Sequence, residues 1–323
     1  MASLKESLAG RGWKFWTGWV LILPFFCWAV FRGLGLERGY PFVQVVAYTP
    51  YVFVLSFLAF LIVVILRQWV AALVGLAVFV VLALAVLPRA IGGPDDVEGG
   101  RTVKIMSSNL LKSKADISQV EDLVRENDID MLFLQEYLTK GLAEVRKSDI
   151  DEMLPYSAVT VTDENGGGAI YSRFPLKRVR NVVTGYRQPR AIVSPPGSVK
   201  FEAMSAHPMA PAGPSTTDEW NRDFGKLPHA DVSGPPRLLA GDFNATLDHH
   251  NLRSLISTGY RDAGDVMGDG LIPTWPSKFR FPPPVTLDHV LAERPIGITD
   301  YGVQHIRGSD HRAIFATVVI PDS

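Results

Sequence analysis

The chain has 323 residues, with 32 Lys and Arg against 33 Asp and Glu, and its formal net charge is −1 at pH 7. This length allows one large domain or two ordinary ones, and so small a net charge points to no polyanionic partner. The single cysteine, Cys27, excludes a disulfide framework and a metal site built from cysteines.

Three apolar stretches begin the chain, at residues 13–31, 42–66 and 69–87. Each is roughly 19–25 residues long, which is the length that crosses a hydrocarbon core of roughly 30 Å. Tryptophans lie near the predicted ends, where an interfacial belt would place them. The alternative is a buried helical bundle of a soluble protein, but three such stretches in succession would expose too much apolar surface. The sequence therefore predicts three transmembrane helices within residues 1–88.

Basic residues around these stretches bear on their orientation. Lys5, Arg11 and Lys14 cluster at the start of the first stretch, which favours a cytoplasmic N-terminus. Three spans would then place the C-terminal part outside, so we expect a multi-pass protein of the cell membrane with an extracytoplasmic C-terminal domain. Basic residues also follow the first and third stretches, so this orientation depends on the N-terminal cluster alone.

Residues 89–100 are rich in glycine, proline and acid, which predicts a linker, and residues 101–323 have the size of one globular domain. The first hundred residues hold 7 of the 32 Lys and Arg and 5 of the 33 Asp and Glu, which leaves 25 and 28 and a net charge of −3. A domain that binds long nucleic acid usually carries a basic face. This balance therefore lowers the odds of a nucleic-acid partner.

Apolar runs predict strands mixed with helices throughout residues 101–323. Strands at 102–107 and 130–134 flank a helical face of Ile117, Val120 and Leu123, and this strand–helix–strand unit suggests parallel pairing. Later strands come closer together, with spacings that suit hairpins. They are predicted at residues 158–162, 169–172, 177–184, 190–194, 199–206, 238–241, 286–291 and 313–320. We therefore expect an α/β domain of mixed sheets with helices outside.

Acids, amides and histidines recur where these apolar strands end. In the Gly-Asp-Phe-Asn sequence at 241–244, Asp242 and Asn244 face the same way because residues i and i+2 of an extended chain do so. The other such residues are Asn109, Glu136, His207, Asp288, Asp310 and His311. Any one of them could be a polar turn or a helix cap, but solvation alone hardly explains the whole set.

Metal-assisted phosphoester hydrolysis is the chemistry that such a set would support. A carboxylate such as that of Glu136 suits Mg²⁺, which binds few protein carboxylates and keeps several waters. The attacking water needs orientation and a base, which suits Asp242. Amides and histidines can stabilise charge on the phosphoryl oxygens, and an acid such as Asp288 or Asp310 can hold a histidine ring and favour its protonated form.

These sequences occur in the order and rough spacing of the endonuclease/exonuclease/phosphatase superfamily, which includes DNase I, and the chain resembles that superfamily over about residues 101–320. The motifs are Ser-Asn at 108–109, Leu-Gln-Glu at 134–136, Ala-His at 206–207, Gly-Asp-Phe-Asn at 241–244, Leu-Asp-His-Val at 287–290 and Ser-Asp-His at 309–311, with a family-like hairpin at 167–175. The resemblance implies a four-layer, DNase I-like α/β sandwich of two packed mixed sheets with outer helices.

The resemblance also implies roles for the site residues. It assigns Mg²⁺, with Mn²⁺ as a substitute, to Glu136 with Asn109 and to Asp310. It assigns phosphate contact to His207 and Asn244, and orientation or deprotonation of the attacking water to Asp242. Asp288 would pair with the last catalytic histidine, His311. His289 lies where members of the superfamily vary and is left outside catalysis.

The membrane spans are the best guide to the substrate, because they would hold the site near the headgroup layer and favour a lipid-linked phosphate or diphosphate. The chain also looks like the membrane-bound teicoplanin-resistance proteins of this superfamily, which suggests a lipid carrier of cell-wall synthesis. A membrane-tethered nuclease and a non-catalytic scaffold or sensor are the alternatives. We further expect His249 and His250 on a surface helix, and Trp275 as either a packed loop residue or a pocket wall.

Overall fold

The computed structural model describes residues 2–164, 166–230, 233–278 and 281–323. The N-terminal part is helical, and α1, α3 and α4 pack on one another around Ile22, Val63 and Ala71. These elements are α1 (Ala2–Gly33), α2 (Phe42–Val46), α3 (Thr49–Ile65), α4 (Trp69–Val86) and a 3-10 turn (Leu87–Ala90).

Two segments of this region, Trp16–Gly33 and Trp69–Ala90, are long and apolar enough to cross a membrane by length and composition. The third apolar helix, α3, has 17 residues. The prediction of one continuous span over residues 42–66 is wrong at its start, because α2 is separate from α3 and Pro50 occupies the first turn of α3, a position that proline favours. Val43 of α2 is fully buried in a cluster with Phe243 of the C-terminal part.

The C-terminal part contains twelve strands and six helices among its described residues. The strands are β1 (Arg101–Asn109), β2 (Met131–Gln135), β3 (Tyr156–Thr160), β4 (Gly168–Ser172), β5 (Leu176–Val183), β6 (Arg187–Val193), β7 (Phe201–Ala206), β8 (Arg237–Asp242), β9 (Tyr260–Asp262), β10 (Asp288–Glu293), β11 (Gly297–His305) and β12 (Arg312–Ile320). The helices are α5 (Ile117–Glu126), α6 (Thr139–Val145), α7 (Ile150–Met153), α8 (Pro214–Phe224), α9 (His250–Ser257) and α10 (Ala263–Met267).

The strands form two six-stranded mixed sheets, in the orders β11-β12-β1-β2-β4-β3 and β5-β6-β7-β8-β10-β9. The central apolar cluster joins the two sheets, with Ile105 and Phe133 from the first and Phe201 and Leu238 from the second. Outer clusters pack α5 against the first sheet and α8 and α9 against the second. The resulting layers, helix–sheet–sheet–helix, are those of the predicted DNase I-like α/β sandwich.

Each sheet has one parallel pair at its centre, β1 with β2 and β7 with β8. The carboxyl ends of parallel strands meet at one edge of a sheet, which is where open sheets place ligands. Beneath this edge the sheets are joined by hydrogen bonds, since Gln135 Nε2 donates to Ser205 Oγ at 3.0 Å and Ser205 Oγ donates to the Leu134 carbonyl at 3.0 Å. The sequence thus brings the carboxyl ends of four central strands to a shared edge, which we call the catalytic edge.

Residues 89–100, predicted as a linker, have mostly irregular structure and are largely exposed, but hydrogen bonds attach them to the C-terminal part. Asp95 accepts hydrogen bonds from Arg261 Nη1 at 2.7 Å and from the Ile298 amide at 2.8 Å. The connection is therefore fixed at its middle.

A buried carboxylate, Asp248, joins the N-terminal helices to the C-terminal part. Its side chain has no exposed surface and accepts hydrogen bonds from Arg32 Nε at 2.6 Å and from Arg89 Nη1 and Nη2 at 2.8 and 2.7 Å. Burial alone would raise the pKa of Asp248, but Arg89 and Arg32 outweigh it and lower the pKa below its usual value. Arg32 and Arg89, both from the first ninety residues, therefore form ion pairs with the carboxylate of Asp248 in the loop after β8.

We predict that Asp248→Asn lowers the free energy of unfolding by about 3–5 kcal/mol, because removing one partner of a buried ion pair leaves uncompensated charge. Thermal unfolding of the full chain in detergent measures the change. The matched control is Asp218→Asn, at an exposed position of α8, which should unfold like the wild type. Equal unfolding temperatures for Asp248→Asn and the wild type would contradict the prediction.

Candidate active site

The structure brings all the sequence-predicted site residues to the catalytic edge. Asn109 ends β1, Glu136 follows β2 and His207 follows β7, while Asp242 ends β8. Asp288 begins β10 directly opposite Asp242, since the two residues are partners in the antiparallel register of β8 and β10. Asn244, Asp310 and His311 line the same cleft as Glu136, His207 and Asp242.

Asp242 is the centre of this group, and it is buried, with 1% of its surface exposed. Its Oδ2 accepts a hydrogen bond from Asn109 Nδ2 at 3.0 Å, and its Oδ1 accepts one from the Asn244 amide at 2.8 Å. The Nε2 atoms of His311 and His207 lie 3.5 and 3.8 Å from Oδ2. Burial raises the pKa of Asp242, with His311 acting in the opposite direction, and a raised pKa makes the carboxylate a better proton acceptor near neutral pH.

The two buried histidines differ in charge. Burial lowers the pKa of His207 to about 4, so this ring is neutral at pH 7. Burial alone would also lower the pKa of His311, but the carboxylates of Asp288 and Asp242 outweigh it and raise the pKa to about 10. The decisive contact is the hydrogen bond from His311 Nδ1 to Asp288 Oδ2 at 2.9 Å. The site therefore holds one neutral imidazole and one imidazolium close to Asp242.

Glu136 is held in a loop of unusual backbone conformation. Its Oε1 accepts from Asn109 Nδ2 at 3.1 Å and its Oε2 from the Lys112 amide at 3.0 Å. Glu136 itself has a φ of 50°, and the segment 111–113 opposite it also has positive φ, which costs energy in residues other than glycine. Because Asn109 donates to both carboxylates, it acts as a bridge between Glu136 and Asp242.

Asp310 lies across the cleft entrance beside Trp275. Trp275 Nε1 donates to Asp310 Oδ2 at 3.2 Å, whereas the buried Oδ1 has no hydrogen-bond partner among the residues that the structure describes. Trp275 lines the cleft and its ring centroid lies 6.5 Å from that of His311. Trp275 was expected to be either a packed loop residue or a pocket wall, and the structure shows that it forms part of the wall.

This donor set fits a hard divalent cation. Glu136 and Asp310 offer carboxylate oxygens to one cleft, one oxygen of Asp310 is buried without a partner, and neither residue forms an ion pair within the described ranges. Oxygen ligands of this kind are those that Mg²⁺ and Mn²⁺ take in proteins. Asp242, Asp288 and His311 also offer ligand atoms that lie within 4.8 Å of one another, so these three side chains are a second group in the described ranges that could hold a metal ion.

Two other buried histidines, His249 and His289, have hydrogen-bond partners of their own, and His249 also lines the cleft. His289 is buried behind β10, where its Nδ1 lies 2.8 Å from Asp262 Oδ2 and its Nε2 2.9 Å from the Ala245 carbonyl. The expectation that His249 lies on a surface helix is wrong, because this residue is 2% exposed and precedes α9. Its Nε2 hydrogen-bonds the Val43 carbonyl at 2.8 Å. His250 begins α9 as expected.

Three further residues position the site, and two of them, Tyr186 and Gln188, were not predicted. The ring of Tyr186 stacks on His207 with centroids 4.4 Å apart, and Gln188 Oε1 accepts from the His207 amide at 2.8 Å. Ser309 Oγ donates to the Asn109 carbonyl at 2.7 Å. Tyr186 and Gln188 carry no local signal, because they reach the site only through the register of β6 with β7. Ser309 stands in the Ser-Asp-His sequence, so its motif did mark it.

The fold and the site together are those of a metal-dependent phosphoric ester hydrolase. The chain belongs to the endonuclease/exonuclease/phosphatase family, which it matches over residues 97–311. No curated protein sequence matches the chain closely enough to count as a relative.

Solved structures of this family share the fold at low sequence identity. TDP2 from D. rerio, complexed with a single-strand DNA product, is 16% identical with a TM-score of 0.54, and the match covers 67% of this chain and 98% of that one. An endonuclease/exonuclease/phosphatase from Beutenbergia cavernae is 15% identical with a TM-score of 0.53, over 68% and 72%. A mannosyl-6-phosphatase from Bacteroides thetaiotaomicron is 15% identical with a TM-score of 0.51, over 68% and 100%.

We predict that Mg²⁺ stabilises the wild type and not Glu136→Gln. A ligand that binds only the folded state at about ten times its Kd adds about 1.4 kcal/mol, which raises the Tm by about 3–5 °C. Thermal unfolding with and without Mg²⁺ measures this. Glu144→Gln makes the same change at an exposed position of α6 and should keep the shift. A full Mg²⁺ shift in Glu136→Gln would contradict the prediction.

Proposed function

We propose that this protein is a membrane-anchored, Mg²⁺-dependent phosphoesterase that hydrolyses a lipid-linked phosphate ester or diphosphate. The observation that carries the proposal is the cleft of about 690 Å³ in which Asp242, His207 and His311 face apolar residues such as Val45 and Phe281. The cleft thus places the side chains proposed to cleave a phosphoester next to an apolar surface that could bind a hydrocarbon chain.

Asp242 is the group that would orient the attacking water and accept its proton. The water oxygen forms a bond to phosphorus, the bond from phosphorus to the leaving oxygen breaks, and the leaving group takes up a proton from solvent. The imidazolium of His311 stabilises the charge on the phosphoryl oxygens. Neutral His207 and the side-chain amide of Asn244 contact the same phosphate. Asp288 keeps His311 protonated and oriented.

Glu136 and Asp310 are the residues that would hold Mg²⁺, and Asn109 positions Glu136. The bound ion would neutralise charge on the phosphate, with Mn²⁺ as a substitute. This contribution is needed because no lysine or arginine of the described ranges lines the cleft, so among the protein's own groups there only His311 is a cation.

Membrane anchoring is supported by the distribution of exposed apolar side chains. Large exposed hydrophobic residues of the described chain are concentrated before residue 98, and beyond it only Tyr156 and Phe281 belong to this group. Trp69 and Leu84, for example, expose 64% and 72% of their surface, which a monomer in water rarely tolerates as a contiguous patch. We propose that α1, α3 and α4 all span the bilayer, with α3 near the minimum spanning length.

The proposed organisation is a membrane region at residues 1–88, a connection at 89–100 and the catalytic domain at 101–323. The N-terminal basic cluster supports a cytoplasmic N-terminus and an extracytoplasmic catalytic domain. The catalytic domain would then face substrates in the outer leaflet.

We predict that the purified chain hydrolyses a long-chain lipid diphosphate in the presence of Mg²⁺, and that Asp242→Asn lowers kcat by about 10²–10⁴-fold, the usual loss when a general base is removed. The assay compares lipid diphosphates, phosphoinositides, sphingomyelin and duplex DNA, each with and without Mg²⁺. The control, Asp218→Asn, should retain wild-type rates.

Two other outcomes would replace this proposal. Rapid cleavage of duplex DNA that Asp242→Asn abolishes would make the protein a membrane-tethered nuclease. Absence of hydrolysis for every substrate, with a partner protein still bound by both the wild type and His311→Ala, would favour a scaffold.

We also predict that Asp288→Asn moves the alkaline limb of the pH–rate profile to lower pH. The pKa of His311, raised to about 10 by its neighbours, should fall by on the order of 1–3 units when the paired charge is lost, so His311 deprotonates at lower pH. The matched control is Asp262→Asn, which removes the carboxylate of the His289 pair behind the cleft. An unchanged alkaline limb in Asp288→Asn would contradict the assigned role of His311.

A further inference from the structure

The segment between α1 and α3 lies over the catalytic edge. We call residues 42–51, which comprise α2 and the first residues of α3, the connecting segment. Val43 is fully buried, and its carbonyl is 2.8 Å from His249 Nε2. Gln44 Nε2 donates to the Pro211 carbonyl at 3.0 Å, and the Tyr51 hydroxyl donates to the Pro284 carbonyl at 2.8 Å. The connecting segment is therefore held at three points along its length.

Each of these contacts is to a loop that also carries a site residue. His249 lies in the loop that follows Asp242, and Pro211 lies in the loop that follows His207. Pro284 lies in the segment 281–287 that leads to Asp288, which we call the proline-rich loop. The connecting segment thus spans the rim of the cleft and forms one of its walls, so the active site contains residues from outside the part of the chain that matches the family, 97–311.

The cleft is apolar where the connecting segment faces the proline-rich loop. Val45 and Tyr48 line one side, and Phe281, Pro282 and Val285 line the other. Phe281 is 96% exposed and Val45 is 36% exposed, which leaves apolar surface in contact with water at the mouth of a catalytic cleft. Covering such surface with hydrocarbon is favourable by roughly 25 cal/mol per Å².

Charge and continuity both indicate which molecule covers this groove. The described lining residues of the groove include no lysine or arginine, the side chains that bind a nucleic-acid backbone. Tyr48 is also the residue before the apolar helix α3, so the groove continues directly onto the surface proposed to lie in the bilayer. A hydrocarbon chain that enters from that surface would therefore meet the apolar lining of the groove next to the phosphate site.

We propose that the connecting segment is a specificity wall, which with the proline-rich loop binds the hydrocarbon chain next to the scissile phosphate. This inference rests on the proposed function and names its substrate class: phosphoesters or diphosphates of a long-chain alcohol. The wall selects them over esters of the same phosphate with short, water-soluble alcohols, because only a long chain covers Val45, Tyr48 and Phe281.

The experiment compares long-chain and short-chain alkyl phosphates of the same headgroup, with the full chain in one detergent and with Mg²⁺. Val45→Asp and Phe281→Ser should each lower kcat/KM for the long-chain substrate by about 10-fold or more, the range that a few methylene contacts supply. For the short-chain substrate, kcat/KM should change less than about 2-fold, because a chain too short to reach the groove gains nothing from it.

The matched controls are Val97→Asp and Tyr156→Ser, at residues that are each 40% exposed and lie outside the cleft. These two variants should have the wild-type kcat/KM for both substrates. Thermal unfolding checks that each variant folds. If Val45→Asp does not fold, Phe281→Ser alone still tests the inference.

The outcomes separate this inference from the proposed function. If the wild type prefers the long-chain substrate but the groove variants lower kcat/KM equally for both substrates, the specificity wall is refuted. The proposal of a lipid phosphoesterase is then retained. If the wild type shows no preference for the long chain, or hydrolyses neither substrate, the proposed function itself fails.

Discussion

The buried carboxylate of Asp242 is the constraint on which the arrangement of the site depends. An anion with 1% exposure needs compensation from the protein, and the donors come from separate elements: Asn109 at the end of β1, the amide of Asn244, and His311 before β12. Gly241 makes this approach feasible, since its φ is 155° and a Cβ there would lie 2.0 Å from the Ala206 carbonyl oxygen. The close contact of β7 and β8 at this residue therefore fixes where Asp242 points.

The two histidines beside Asp242 are similarly buried, yet their pKa values shift in opposite directions. His207 and His311 are about equally shielded from water, at 4% and 6% exposure, so exposure does not explain why only His311 is charged. The difference is Asp288, which the register of β8 and β10 places opposite Asp242 and which bonds His311 directly. Two carboxylates sharing one imidazolium give a local charge of −1, whereas Glu136 and Asp310 line the same cleft without an ion pair to any described residue.

Strand ends and their polar residues could be predicted from the sequence because both are local features. The Gly-Asp-Phe-Asn stretch follows a continuous apolar run, and the structure ends β8 at Asp242. The edge strand β11 was missed because glycine and aspartate interrupt its apolar alternation and only β12 pairs with it. Tyr186 was also missed, since its place in the site depends on contact with His207, 21 residues further along the chain. The break before α3 was missed although Pro50 marks it locally.

The loop at residues 246–249 explains how an N-terminal helical region can be part of an active site. Its Asp248 binds Arg32 and Arg89, and its His249 bonds the carbonyl of Val43, so α1, α2 and the turn after α4 all attach to one loop. That loop begins two residues after Asn244, whose amide is bonded to Asp242. A shift of the helices relative to the sheets must therefore move the loop that holds the proposed base. Because the buried Asp248 pairs resist such a shift, the helices and the site form one mechanical unit, and under the proposed membrane anchoring Asp242 would keep a fixed position relative to the bilayer.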